Sequence, residues 1–208
     1  MKPLSAASDV PATVFVIDDD AAVRSALKLL LQSVHLRATC FASAPEFLAQ
    51  FDPRAAGCAV LDVRMPGMSG LELQDELNRR GAMLPVIFIT GHGDVPMAVE
   101  ALQHGAFDFL QKPFRDQELL DRIQRALQKD RDNRAQIVHK EEIRARLATL
   151  TPREREVLDL MTSGRPNKLM AADLNLSQRT IEIHRARVME KMRAPSLAQL
   201  VRMKLELE

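Results

Sequence analysis

Val14–Arg24 reads VFVIDDDAAVR. Four apolar residues, Val14 to Ile17, run directly into three aspartates, Asp18, Asp19 and Asp20. The apolar run suits a short buried strand, and the acids fall where that strand ends. Carboxylates gathered there repel one another. At about 4 Å and an effective dielectric near 20, each pair costs roughly 4 kcal/mol before screening. Such a cluster calls for a positive partner, and the residues that follow indicate which.

Working outward, strands and helices alternate. Ala22–Val34 carries Val23, Leu27, Leu30 and Leu31 at helical spacing, and Asp20 is placed to cap that helix. Arg37–Phe41 reads as a strand. Ser43-Ala-Pro-Glu46 has the form of a capping box and opens a helix to about Phe51. Cys58–Leu61 is strand-like. Ser69-Gly-Leu-Glu72 is a second capping box, followed by Leu71, Leu73 and Leu77 at helical spacing. Pro85–Thr90, PVIFIT, is an apolar strand. Pro96–His104 reads as a short helix and Phe107–Leu110 as a last strand. A helix begins near Asp116, with Leu119, Leu120, Ile123 and Leu127 on one side. Five strands alternating with five helices predict a mostly parallel sheet covered on both faces.

In such sheets ligands bind beyond the C-terminal ends of the strands. Asp18 and Asp19 follow the first strand, Asp62 the third, Thr90 ends the fourth, and Lys112 follows the fifth. Singly, each has a plain explanation. An aspartate after a strand often forms a turn or caps a helix. A lone lysine is usually a solvated surface residue, and a lone threonine packs at a strand end. Together, on one edge, they predict a metal seat made of oxygens, which favours Mg²⁺ over zinc. They also supply an acidic oxygen as nucleophile and donors for a phosphoryl group.

Composition narrows the classes. The chain has 208 residues and 46% hydrophobic residues, enough for two small cores. The formal charge is only +1, but residues 1–115 hold 10 Lys/Arg against 13 Asp/Glu, and residues 116–208 hold 19 against 15. The basic half thus faces an anionic partner. Cys40 and Cys58 lack metal-type spacing and read as small buried residues. No apolar leader or membrane-length run is present, so the expectation is a soluble cytoplasmic protein without a membrane partner.

VIDDD, LDVRMPGMSGLEL and ITGHGDVPMAVEALQHGAFDFLQKPF, with their spacing, resemble the receiver domain of bacterial response regulators over about residues 12 to 125. The resemblance implies a phosphoryl group passed to Asp62 from the histidine of a sensor kinase. It implies Mg²⁺ held by Asp18, Asp19, Asp62 and the backbone carbonyl of Arg64. It makes Thr90 and Phe109 the switch pair and Lys112 the phosphoryl-binding lysine, and it implies a cis bond between Lys112 and Pro113. By itself Phe109 could be plain core.

Residues 128–148 are mostly charged and contain neither Gly nor Pro, so they read as a helical extension, continuous or briefly interrupted. Thr151-Pro-Arg-Glu154 is a third capping box, opening a helix with Val157, Leu158 and Met161. Lys168–Leu174 is a short helix, Asn175–Ser177 a tight connection, Arg179–Met192 a longer helix, and Leu197–Leu207 a last one. Ser177–Arg193 holds five Lys/Arg against two Glu. Two short helices joined by a brief turn, the second basic, suggest a helix-turn-helix. A basic helix alone is usually just a solvated face. Leu150–Met192 resembles the four-helix DNA-binding domain of quorum-sensing and nitrate regulators. The whole chain resembles the nitrogen-fixation and nodulation response-regulator subfamily, and regulators of aromatic-compound (styrene) catabolism. The expected domains are a receiver at 12–127, a helical linker at 128–148 and a DNA-binding domain at 149–208.

By this resemblance Thr180 and Lys168 sit near phosphates. Glu182, Ile183, Ala186 and Arg187 face the groove, where Glu accepts from cytosine and Ile or Ala meets a thymine methyl. Arg179, His184 and Lys191 meet the backbone, with packing as the other reading for His184. Some relatives carry lysines where this chain has Glu182 and Ala186, which implies a different base preference. The expected function is a phosphorylation-switched transcriptional activator. Its partners are a sensor histidine kinase, a paired double-stranded DNA site, RNA polymerase and, once phosphorylated, a second copy of itself. Two other readings stand beside it. A Mg²⁺-dependent phosphatase would need an acid-base group near the leaving oxygen, and Arg64 stands where a second carboxylate after Asp62 would be. A module binding DNA constitutively would not need the acids, Thr90 and Lys112.

Overall fold

The computed structural model describes residues 11–91, 99 and 101–207, and the chain divides into two compact units between Arg134 and Ala135. In the first, strands β1 (Thr13–Ile17), β2 (Arg37–Phe41), β3 (Gly57–Asp62), β4 (Val86–Thr90) and β5 (Asp108–Gln111) form one parallel sheet in the order β2-β1-β3-β4-β5. Helices α1 (Ala21–Ser33), α2 (Ala44–Gln50) and α3 (Gly70–Arg79) alternate with the strands. Of the short helix expected at Pro96–His104, residues 96–98 and 100 lie outside the described residues; residues 99 and 101–103 are helical.

The unbroken apolar strands are explained by burial on both faces. Alternate residues point oppositely. Val14, Val16, Cys58, Val60, Ile87 and Ile89 join one core with Leu27 and Leu31. Ile17, Ala59, Leu61 and Phe88 join the other with Phe47, Leu73 and Leu77. Asp20 caps α1 by accepting from the Ala22 N–H at 2.7 Å. The Ser69–Glu72 box forms in full. The Ser43 box forms by half: Ser43 accepts from the Glu46 N–H, but the Glu46 carboxylate turns to the Ala42 N–H instead. Lys112–Pro113 is cis. Both cysteines are free; Cys58 is buried, which pushes its thiol up, and Cys40 is only half-buried.

Helix α4 runs unbroken from Asp116 to Ala148, so the charged segment is continuous helix. Leu119, Ile123 and Ala126 bury its first part against the sheet. Asp130, 1% exposed, anchors it further along. Its carboxylate accepts from the Gly57 N–H at 2.9 Å and from Arg134 at 2.8 Å. Arg134 in turn donates to the carbonyls of Arg54 and Ala55. The linker helix is thereby fastened to the loop that enters β3.

In the second unit, the end of α4 meets α5 (Pro152–Thr162), α6 (Asn167–Asp173), α7 (Gln178–Met192) and α8 (Leu197–Leu205). Ile143, Val157, Met170, Ile181, Val188 and Leu200, each fully buried, make its core. The chain is thus a five-stranded parallel-sheet domain linked by a long helix to a four-helix helix-turn-helix domain.

Removing the Asp130 carboxylate leaves a buried N–H and a guanidinium without their acceptor. Asp130→Ala is expected to destabilise the sheet domain by about 3 kcal/mol, measured as a lower urea midpoint at unchanged slope.

Candidate functional site

Parallel pairing brings the ends of β1, β3, β4 and β5 to one edge. There the Lys112 ammonium lies 3.0 Å from an Asp18 oxygen and 2.9 Å from an Asp62 oxygen. The other Asp18 oxygen accepts from the Asp20 N–H at 2.9 Å, and the other Asp62 oxygen from the Arg64 N–H at 2.7 Å. Asp18 is almost fully buried, whereas Asp19 is exposed. The expectation of three mutually repelling carboxylates is therefore modified. Two are joined by one ammonium, and the third is open to solvent. Among the described residues no group of three acidic, histidine or cysteine side chains is arranged to hold a metal by itself.

Burial pushes the Asp62 carboxyl up, and the Asp18 charge adds to this; the Lys112 ammonium acts against both. Burial lowers Lys112 too, but its hydrogen bonds to Asp62 and Asp18 outweigh this and raise it. Lys112 thus stays charged between the two acids. Thr90 is buried at the end of β4, and its carbonyl accepts from the Lys112 N–H at 2.7 Å. Its hydroxyl donates to the Gly91 carbonyl at 3.3 Å. Phe109 pairs with Phe88 across β4 and β5 and packs, half-buried, on the Phe88 side of the sheet. Arg64 is exposed.

Two supporting residues escaped the sequence reading. Arg24 on α1 donates to the Asp18 carbonyl at 2.7 Å, fixing the backbone of that acid. Gly70 opens α3 where a Cβ would lie 2.3 Å from the Asp62 carbonyl and 3.0 Å from the Phe88 ring. In the sequence Gly70 is only the residue after a cap, and no local signal marks the close approach.

In the second unit, the turn between α6 and α7 is closed by Asn175 at positive φ, and Ser177 caps α7 by accepting from the Thr180 N–H at 3.1 Å. Arg153 donates to the Leu174 carbonyl in that turn. Ile181, Val188 and Met192 are buried. Arg179, Glu182, Ile183, Ala186 and Arg187 are exposed, at the spacing of a single helical stripe. Ile183 is an apolar member of that stripe, 46% exposed. Thr180 and His184 are half-buried, and Lys168 is exposed on α6. His184 Nδ1 is buried without a hydrogen-bond partner. Lys191 is half-buried, and its ammonium is bound within the domain, to Glu154 at 2.6 Å.

A sheet with a phosphoryl-type acidic edge, followed by a helix-turn-helix, defines a signal-receiving DNA-binding regulator. Residues 14–124 match the response regulator receiver domain, and residues 148–204 match the luxR family of bacterial regulatory proteins. The chain belongs to the response-regulator family, in the group that joins these two domains. It is 49% identical over 192 residues to Nodulation protein W of Bradyrhizobium diazoefficiens, covering 92% of this chain and 85% of that one. It is 50% identical over 192 residues to the transcriptional regulatory protein FixJ of Azorhizobium caulinodans, covering 92% and 91%. The solved response regulator StyR superposes with a TM-score of 0.84 at 42% identity, covering 94% of this chain and 99% of that one. The protein is a two-component transcriptional regulator that binds DNA, and a phosphoacceptor rather than an enzyme in the ordinary sense. Its family typically uses Mg²⁺ for phosphotransfer, and sensor kinases, DNA and a second copy are its typical partners. No helix among the described residues is long and apolar enough to cross a membrane.

Deleting the Lys112 ammonium removes what holds Asp62 down. In Lys112→Ala the Asp62 carboxyl should titrate higher than in the native chain, read by carbon NMR of the side-chain carboxyls. Glu154 gives a second pH test. The Lys191 ammonium, then the Thr151 N–H, hold its carboxyl at about 2, below the ordinary 4.5. A depressed carboxyl adds stability above its unfolded value and loses it as pH falls through the folded value. The helical domain should therefore weaken from about pH 4.5 down to about 2, and Glu154→Gln should flatten that slope in hydrogen exchange over residues 152–192.

Proposed function

We propose that Asp62 is the phosphoacceptor of a switch that controls DNA binding. The observation that carries this is the Lys112 ammonium within 3.0 Å of both Asp18 and Asp62 at the ligand-binding edge of the sheet. A carboxylate oxygen of Asp62 attacks the phosphorus of a phosphohistidine, the phosphorus–nitrogen bond breaks, and the imidazole leaves with the electron pair. Lys112 then faces a phosphoryl oxygen and the Thr90 hydroxyl can donate to another.

Mg²⁺ fits the donors present. It binds through one or two carboxylates and keeps several waters, so it does not need a ready-made cage of three acids. Asp18 and Asp62, exposed Asp19 and the Arg64 carbonyl are the oxygens that would hold it. Bound there, the ion would neutralise charge on the transferring group.

Phosphorylation adds charge and acceptor oxygens beside Thr90. Thr90 turns toward them, and Phe109, half-buried on β5 opposite Phe88, takes up the space released. The receiver is taken as 12–127, the linker as 128–148 and the DNA-binding domain as 149–208. On the outward stripe Glu182, Ile183, Ala186 and Arg187 enter the major groove, with Lys168, Arg179, Thr180 and His184 near phosphates. Activation pairs two copies on a two-part site and recruits RNA polymerase to a promoter. By the resemblance of its sequence, the target is taken as an aromatic-compound (styrene) catabolic operon. A transcriptional regulator works where its DNA is, which places this one in the cytoplasm.

Incubated with acetyl phosphate and Mg²⁺, the full chain should gain the mass of one phosphoryl group, and Asp62→Asn none. Lys112→Ala should slow the gain by about 10²-fold. A phosphorylated Asp62→Asn chain would overturn the assignment. For DNA, Arg187→Ala should weaken binding about tenfold, whereas Ile183→Ala should relax preference at one base position, both read by titration against duplexes selected from a random pool.

A further inference from the structure

Lys191 stands apart from the other cations expected at DNA. Lys168, Arg179 and Arg187 are exposed. The Lys191 ammonium instead donates to a Glu154 oxygen at 2.6 Å and to the Thr149 carbonyl at 3.2 Å. The Glu154 side chain is only 3% exposed. The same Glu154 oxygen takes the Thr151 N–H at 2.8 Å, so it closes the first turn of α5 and receives the ammonium at once. Thr149 directly follows α4, and its hydroxyl donates back to the Arg146 carbonyl at 2.7 Å. One ammonium therefore joins three segments: the end of the linker helix, the cap of α5 and the last turn of the recognition helix.

Two physical arguments set the role of this junction. Releasing Lys191 to a phosphate would leave Glu154 as a buried carboxylate without its counterion, which is strongly unfavourable. The junction also lies at one end of a lever. From Lys191 to Arg179 the helix spans about 18 Å, so a tilt of about 5° moves Arg179 by about 1.5 Å. That displacement exceeds the window within which a hydrogen bond to a DNA phosphate holds. Val188 and Met192, beside Lys191 on the helix, are buried in the core. They give the last turn a pivot, and the ion pair sets its angle.

We propose that Lys191 is a positioning residue for DNA recognition: with Glu154 and the Thr149 carbonyl it sets the tilt of the recognition helix and couples that tilt to the end of the linker helix. This rests on the reading of the outward stripe of α7 as the DNA-contacting face.

The test compares removal of the cation with removal of the anion. Full-length chain, Lys191→Met, Glu154→Gln and the double variant are titrated over a range of salt against a duplex selected from a random pool by the native chain. A phosphate-contacting lysine would lower the salt slope by about 0.9 when removed, and Glu154→Gln would leave affinity unchanged or raise it by freeing the cation. A positioning pair behaves otherwise. Either single change should weaken binding about tenfold with the double variant no worse than the weaker single, the salt slope should stay as in the native chain, and Lys191→Arg should recover part of the loss. Helical circular dichroism checks that each variant folds. Should a single variant fail to fold, the double variant, which leaves no unpaired buried charge, carries the test: native affinity in it overturns the proposal. So does a lowered slope in Lys191→Met, or undiminished binding by Glu154→Gln. A native chain that selects no duplex overturns the DNA-contacting face itself, and the proposal with it.

Discussion

One lysine ammonium shared between Asp18 and Asp62 is the constraint on which the regulatory edge depends. Two carboxylates at the ends of neighbouring strands repel, and the fold tolerates them because Lys112 arrives from the far side of Thr90 and lies between them. The arrangement keeps Asp62 a poor acid to ionise and yet a partner of a fixed cation, since burial pushes its carboxyl up while the ammonium opposes that shift. A site balanced in this way responds strongly to added charge. A phosphoryl group or a divalent ion changes the balance at once, and the strand ends that carry Thr90 and Lys112 are the parts that feel it.

The same logic, a buried carboxylate given a cation, recurs away from the edge. Asp130 takes Arg134 and a backbone N–H where the long helix passes the loop into β3. Glu154 takes Lys191 where the recognition helix ends. Asp130 reaches Gly57 73 positions away in sequence and Glu154 reaches Lys191 37 positions away, and each arrangement would be costly to leave half-made. Apolar packing decides which faces are buried. These pairs add direction, because a hydrogen-bonded ion pair has a preferred geometry and a methyl contact does not.

Much of the fold was legible because its signals are local. Ser69 and Thr151 with their glutamates mark helix starts, and both boxes form in full. Ser43 shows the limit of such a signal: its serine caps, but Glu46 chooses Ala42, a preference set by the approaching chain rather than by spacing. The runs VFVI and PVIFIT marked strands buried on both faces, and no strand turned out to lie elsewhere by more than a residue or so. The acids, Thr90 and Lys112 could be placed on one edge by the strand rule alone. The roles of Arg24 and Gly70 could not, because one is a side chain reaching a backbone carbonyl and the other an absence of volume. Neither leaves a pattern in neighbouring residues.

By itself the amino-acid sequence determined the order of strands and helices, the helical character of the charged segment though not its continuity, and which residues lie at the edge and on the helix-turn-helix. Those follow from periodicity, capping and the topology of parallel sheets, which need only near neighbours. Only the tertiary structure decided the pairing of charges. It left Asp19 exposed, set Lys112 between Asp18 and Asp62, and paired Lys191 with Glu154. A charge takes the nearest partner that burial leaves unsatisfied, and nearness between residues 37 or 50 positions apart in sequence exists only once the chain has folded.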